Sequence, residues 1–550
     1  MTVTGKKEPK RRVQVINGVA RVYEDHPYWD TEKKQCRHRR TYIGRMDTGG
    51  SFIPNKSFLA GQATSAAEIV KAADRRFFGA GYLLDHVGRA TGVERDIGLS
   101  FPDLREQIVA LVYFLVQEGE NAVYRFPRWA FSHWHPLKYA MGSQSISRLF
   151  GAVTEEGKLD FFRRQAERRL EKEYLAYDTT SISSYSELLK QVKHGRNKDG
   201  ERLPQINLAM LFGETSGLPV YFRKLPGNIS DVTTLRKLII DANFLELAKV
   251  KFVWDMGFFS ARNVNELYHE HIKFVGGLRP DTSLARESVA RVRDDIVRHT
   301  HYLEEEDVYC LSDTIKWDYL WRLPSGREER GKRRMYVHVY YNEQRAAAER
   351  ADFNRELSQL KGALESGQAT DTQLRRAKLF LTVKKTPVRG TRIEYLEETI
   401  REHTRDFGFF VLIANELKNG GEALQCYRNK DMVEKTFNNL KNRLDIKRTM
   451  VSSAENLEGK LFLEFVALIY IAYIHKVMKE QKLYRNYSIQ SLMDELDVIE
   501  RFDYEGQRTH YGEITERQRK IYEAFGILAP DGRPSKNWKP KETEKGQSKT

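Results

Sequence analysis

The chain has 550 residues, 40% apolar and 30% charged, which describes a folded globular protein with room for several domains, not a disordered, collagenous or membrane-dominated one. Lys and Arg number 91 against 76 Asp and Glu, for a net charge of +15 and a pI near 9.3; that excess points to a polyanion, most often nucleic acid, and away from an ordinary metabolic enzyme. Three widely separated cysteines, Cys36, Cys310 and Cys426, exclude a disulfide framework and a C-x-x-C zinc finger and fit a reducing, cytoplasmic compartment.

The first charged run, Lys6 to Arg12, has no apolar stretch of the kind a secretory signal needs. From Val13 to Ile53, short β-branched and aromatic stretches alternate with Asn17-Gly18 and Gly49-Gly50 turns. This predicts a small, basic β module over residues 1–57. Over residues 58–170 the period becomes helical, with Leu104, Ile108, Leu111, Val112 and Leu115 expected on one face. Gly142 to Phe150 offers a turn, a Ser cap and a short helix, the pattern of helix-turn-helix DNA-binding domains and equally of many helical bundles.

Residues 171–280 read as strand-rich. The predicted strands are Leu175 to Ile182, Ile206 to Phe212, Leu218 to Phe222, Lys251 to Asp255 and Ile272 to Gly277. A polar loop at 194–200 and helices over Val232–Leu247 and Ala261–His271 separate them. The order βββαβαβ predicts an α/β fold whose mixed sheet is flanked by helices, as in ribonuclease-H-like proteins. Residues 281–405 break the alternation and read as a β-rich insertion, with a helix that places Phe353, Leu357, Leu360 and Leu364 on one side. The core resumes over 406–490 with the strand Phe409–Asn415 and a long helix from Gly421 to Leu444. Phe465 to Ile474 is about half a bilayer span, so a buried helix is expected there and no membrane partner. Residues 491–550 form a helical region and a basic tail, frayed from Asp531 onward.

Two acids end apolar strands, Asp178 after Leu175-Ala176-Tyr177 and Asp255 after Phe252-Val253-Trp254. Such an acid either caps the next turn or pairs with a cation, because a buried lone charge costs several kcal/mol. Two of them on one sheet favour a divalent-metal site, since hard Mg²⁺ prefers carboxylate oxygens. The candidate for a third carboxylate is Glu434, on the long helix with Tyr427, Lys430 and Lys441 at offsets that fall along one stripe, a pattern that a solvated helix face also shows. His133 and His135 around Trp134 have no Cys or acid cluster beside them, Gly276-Gly277 marks a strand end, and no phosphate-binding G-x-x-x-x-G-K-[ST] occurs.

With Tyr427, Lys430, Glu434 and Lys441 matching Y-x2-[R/K]-x3-E-x6-K, the chain resembles the DDE transposases of bacterial insertion sequences. Tyr177-Asp178-Thr179-Thr180-Ser181, Trp254-Asp255-Met256-Gly257-Phe258, the strand before the signature helix and the stretch Tyr28-Trp29-Asp30 to Ile43-Gly44 also look like that family. The resemblance implies that Asp178, Asp255 and Glu434 hold two Mg²⁺ (or Mn²⁺) ions and that Tyr427, Lys430 and Lys441 bind end DNA. It further implies duplex DNA partners, namely the terminal inverted repeats and the target, and a homodimer in the DNA complex. Trp317 and Trp321 would either stack on a displaced base or, as the better expectation, be buried. Two rivals remain open at this point: a DNA-binding relative without catalysis, and a nuclease on the same fold that never joins strands.

Overall fold

The computed structural model describes residues 10–31, 33–47, 50–58, 74–119, 122–168, 173–183, 193, 204–226, 251–323, 325–386, 390–430, 453–504 and 508–536. The predicted 194–200 loop and 232–247 helix lie outside these residues, as does most of the helix expected over 421–444.

The N-terminal residues form an antiparallel sheet of β1 (Lys10–Ile16), β2 (Val19–Asp30), β3 (Gln35–Met46) and β4 (Phe52–Pro54), in that order. Asn17 and Gly18 make the two-residue turn, both at positive φ (53° and 78°), the geometry that matches the twist of a tight hairpin.

After β5 (Asp74–Phe77) come helices at Gly79–Thr91, Val93–Ser100, Arg105–Glu118, Phe126–Ser132, Ser143–Ala152 and Glu155–Glu167. The Arg105–Glu118 helix is buried on every side from Ile108 to Gln117, which corrects the single apolar face read from its spacing. It is a central helix, packed against the Ala454–Glu480 helix. The expected Ser cap is also absent: Gly142 holds the N-cap position, with no side-chain bond.

The central sheet contains β6 (Leu175–Ser183), β7 (Gln205–Gly213), β8 (Pro219–Pro226), β9 (Lys251–Trp254), β10 (Lys273–Leu278), β11 (Tyr302–Leu303), β12 (Val308–Arg322) and β13 (Glu328–Tyr341). A two-stranded ribbon, β14 (Leu381–Thr386) with β15 (Gly390–Tyr395), precedes the last central strand, β16 (Phe409–Ala414). The central order is β11-β12-β13-β16-β10-β9-β6-β7-β8. Strands β6, β9 and β10 run parallel, and every other neighbouring pair is antiparallel. All nine residues of β7 are buried, as a strand covered on both faces requires. The 281–405 segment does not stand apart from the core: its β13 pairs with β16 along six residues. What remains separate is a small second core of Phe353, Leu357, Leu360, Ala377, Phe380 and Leu381, with Leu364 partly buried against it.

The Ala454–Glu480 helix is apolar enough to cross a bilayer, but 83% of its most apolar window is buried, against the helices at 79–91, 105–118 and 143–152 and against β8. Phe162 and Phe465 meet Tyr221 and Phe222 where the helices touch the sheet. Toward the C-terminus, β17 (Glu500–Asp503) joins β5 on one side and β18 (His510–Tyr511) on the other. Residues 531–536 are not frayed: Asp531 binds Arg519 at 2.7 Å and Ser535 donates to Glu523 at 2.7 Å. The tail beyond 536 lies outside the described residues.

Candidate active site

Strands β6 and β9 pair in parallel with Tyr177 opposite Trp254. The next residue on each is an acid, Asp178 and Asp255. The two positions are therefore equivalent points on neighbouring backbones, which lie about 4.8 Å apart in a sheet. Beyond them β9 has ended while β6 continues beside β7 alone, so the acids sit where the parallel strands part.

Asp255 has an extended backbone (φ −81°, ψ 164°) and precedes a short turn at Met256–Phe258, but its side chain makes no cap bond to that turn. The capping explanation for this strand-end acid does not apply. Its Oδ1 instead accepts a 2.7 Å hydrogen bond from the Tyr427 hydroxyl. The Lys430 ammonium lies 4.0 Å from the same oxygen and 5.2 Å from the Tyr427 ring centroid. Tyr427 and Lys430 are one turn apart on the helix at 420–430, so one helical face delivers both. The Asp255 side chain is 48% exposed, whereas Lys430 is only 2% exposed. Lys430 thus contacts protein in this arrangement.

Gly276 and Gly277 create the space for this contact. They are interior residues of β10, paired with β16, not the strand end expected from sequence. A Cβ on Gly277 would lie 2.9 Å from the Tyr427 hydroxyl, and one on Gly276 would lie 2.3 Å from the Trp254 indole. Glycine within a buried strand signals a close approach of this kind, and that was the available clue.

The start of the Tyr427 helix is pinned by side chains from several elements. Asn415 brackets β10, accepting from Phe274 N at 2.8 Å and donating to Ile272 O at 2.9 Å. From β13, Tyr340 donates to Gly420 O at 2.7 Å, and His338 Nε2 faces Leu417 O at 3.1 Å. Burial pushes the His338 imidazole below its ordinary pKa. That shift favours the neutral ring, in which Nε2 donates to Leu417 O and Nδ1 accepts from the Ser312 hydroxyl, 2.7 Å away. Asn419 accepts from Gly421 N at 2.7 Å. Further along, Arg428 pairs with Glu306, and Asn429 donates to Glu214 at 2.8 Å. Burial raises the Glu214 carboxyl above its usual range. None of these supports stands out in the sequence, since each is a single polar residue whose partner lies far along the chain.

Glu434 and Lys441 lie outside the described residues, and of Asp178 only the backbone is described. Among the described residues no group of three metal-binding side chains occurs. Trp317 donates to Asn265 at 2.8 Å and Trp321 stacks on His269 at 4.7 Å; both are partly buried against the core, short of the full burial that was the better expectation. His133 and His135 both stack on Trp129, and His133 bonds Asp497 at 2.9 Å; they serve packing.

The Transposase DDE domain family matches residues 169–470, a stretch that contains Asp178, Asp255, Tyr427, Lys430, Glu434 and Lys441. A solved structure described as the cryo-EM structure of piggyBac transposase synaptic complex with hairpin DNA is similar over 72% of this chain and 70% of that chain, with a TM-score of 0.34 and 10% identity. No curated protein matches the sequence. Since the family match spans more than half of the 550 residues, the chain belongs to the transposases that carry this DDE domain.

Proposed function

We propose that this transposase moves a bacterial insertion sequence, binding the element's terminal inverted repeats and cutting and joining DNA strands through Asp178, Asp255 and Glu434. The observation that carries this reading is the Tyr427–Asp255 hydrogen bond. It joins the signature helix to the second acid across 172 residues, beside the position of the first. A ribonuclease-H-like core is supported by the order β8-β7-β6-β9-β10, three antiparallel strands followed by two parallel to β6.

The proposed metal ligands fit a hard divalent ion. Asp255 ends its strand half-exposed and does not cap the following turn, and carboxylate oxygens are what Mg²⁺ or Mn²⁺ prefers. Two such ions, when bound, supply activation of the nucleophile and stabilisation of the departing oxygen. The chain's own residues set the geometry. Tyr427 fixes the Asp255 carboxylate and Lys430 balances its charge, while Lys441 contacts end DNA. Residues 1–57 and 58–170 act as DNA-binding modules, and two protomers pair the two element ends.

Incubation of the purified protein with labelled duplex ends and Mg²⁺ tests this. The wild type nicks the ends and joins the freed 3′-hydroxyl to target DNA. Asp178→Ala, Asp255→Ala and Glu434→Ala each lose cleavage and keep end binding. Wild-type nicking by any one variant removes that residue from the site, and cut product without joined product replaces the transposase reading with that of a nuclease.

A further inference from the structure

Residues 1–57 contain 13 Lys and Arg against six Asp and Glu, so +7 of the chain's +15 falls in about a tenth of its length. The strand register decides how that charge is displayed. Residues alternate between the faces of a strand, and directly paired residues share a face. Three rows therefore cross β1, β2 and β3 on one side of the N-terminal sheet: Lys10–Asp25–Arg40, Arg12–Tyr23–Tyr42 and Gln14–Arg21–Arg45. The irregularity between Val22 and Tyr23 keeps Arg45 on the same side as Tyr42 and Arg40. Five cations share this face with one acid.

Asp25 is only 3% exposed and is shared by Arg12 at 3.0 Å, His38 at 3.1 Å and Arg40 at 4.0 Å. One buried carboxylate thus gathers two guanidinium groups and an imidazole. Arg21 and Arg45 stand directly opposite each other, a like-charge pair that costs stability. Among the described residues neither has a carboxylate within ion-pair distance, although Arg21 lies over the Tyr42 ring at 5.9 Å. The other face is nearly balanced: Arg37 and Arg11 have Asp30 and Glu24 at 3.4 and 3.6 Å, and Arg11 is covered by Phe52 and Phe58. Trp29, 63% exposed, lies on the cationic side, two residues from Pro27 and four from Asp25.

We infer that the face formed by Lys10, Arg12, Arg21, Arg40 and Arg45 binds the phosphate backbone of duplex DNA. This rests on the reading of the chain as a DNA transposase and names a surface distinct from the acid site. Charge complementarity identifies the occupant. From residue 21 to 27 of β2 the face extends about 20 Å, long enough to meet several phosphates. A bound polyanion also relieves the Arg21–Arg45 repulsion that the free protein retains.

The test is fluorescence anisotropy of the full chain with a labelled 30-base-pair duplex over a KCl series, since each phosphate contact adds about 0.9 to the slope of log affinity against log salt. In Arg21→Gln/Arg45→Gln the slope falls by about two, with no loss of thermal stability because a repulsion has been removed. Lys10→Gln alone lowers it by about one. Arg37→Gln/Arg39→Gln, on the opposite face, leaves the slope within about 0.5 of wild type. An unchanged slope in the first two variants, or an equal fall in the third, overturns the assignment. Asp255→Ala in the Mg²⁺ cleavage assay on labelled ends separates the two claims: if it nicks DNA like wild type, the transposase site is wrong, whatever the slopes show.

Discussion

The Tyr427 hydroxyl and the Asp255 carboxylate are the contact on which the catalytic reading turns. A hydrogen bond to an ionised acceptor contributes about 1.5–3 kcal/mol. Without it the half-exposed carboxylate samples other rotamers and spends less time where a metal ion needs it. Tyr427→Phe keeps the ring packed against Gly277 and removes only the donor. The expected outcome is a fall in DNA cleavage of roughly tenfold or more, with a raised Mg²⁺ requirement and unchanged end binding. Cleavage assays across a Mg²⁺ series check it; an unchanged metal dependence would show that the hydroxyl does not serve Asp255. Both residues could be named from the sequence, but their contact could not, and the one clue to it, the glycine beneath the Tyr427 hydroxyl, was read otherwise. Gly276-Gly277 looked like punctuation at a strand end, whereas its use is to let Trp254 and Tyr427 approach the backbone.

Elements are joined here by a few polar contacts whose worth depends on burial. Glu458 of the Ala454–Glu480 helix binds Lys158 of the Glu155–Glu167 helix at 2.8 Å and Lys224 of β8 at 2.6 Å. Burial raises its carboxyl pKa, but the two lysines outweigh that and hold it below the usual range. A depressed acid stabilises the fold above its ordinary pKa, and that stability is lost as pH falls through the depressed value. Glu458→Gln leaves two nearly buried ammonium groups without this partner. We expect a loss of about 3 kcal/mol at neutral pH, shrinking as acid neutralises Glu458 in the wild type. Calorimetric melts at pH 7 and in acid measure both; a pH-independent difference would contradict the ionic account. The β12–β13 hairpin shows a second kind of joint. His338 and Tyr340 hold the carbonyls of Leu417 and Gly420, so strands read from sequence as an insertion help aim the Tyr427 helix.

At the scale of the whole molecule, what the sequence reveals follows from local periodicity. The strands Leu175–Ser183, Lys251–Trp254 and Phe409–Ala414 were legible because apolar runs ended in acids or turn residues. The helix carrying Phe353, Leu357 and Leu360 was legible because one of its faces is solvated. The Arg105–Glu118 helix misled because a helix enclosed by other helices has no polar face to set the phase. The pairing of β13 with β16 was hidden, since strand register between segments some seventy residues apart leaves no local trace. The acids themselves could be named from sequence, but their adjacency needed the Tyr177–Trp254 pairing. The central claim is that positions 178, 255 and 434 converge on shared metal ions. Anomalous scattering from a crystal of the DNA complex soaked in Mn²⁺ measures this directly. The account predicts two manganese peaks about 3.5–4 Å apart, each about 2.0–2.3 Å from carboxylate oxygens contributed by Asp178, Asp255 and Glu434. Peaks bound by Asp178 and Asp255 with Glu434 turned elsewhere, or peaks away from all three, would contradict it.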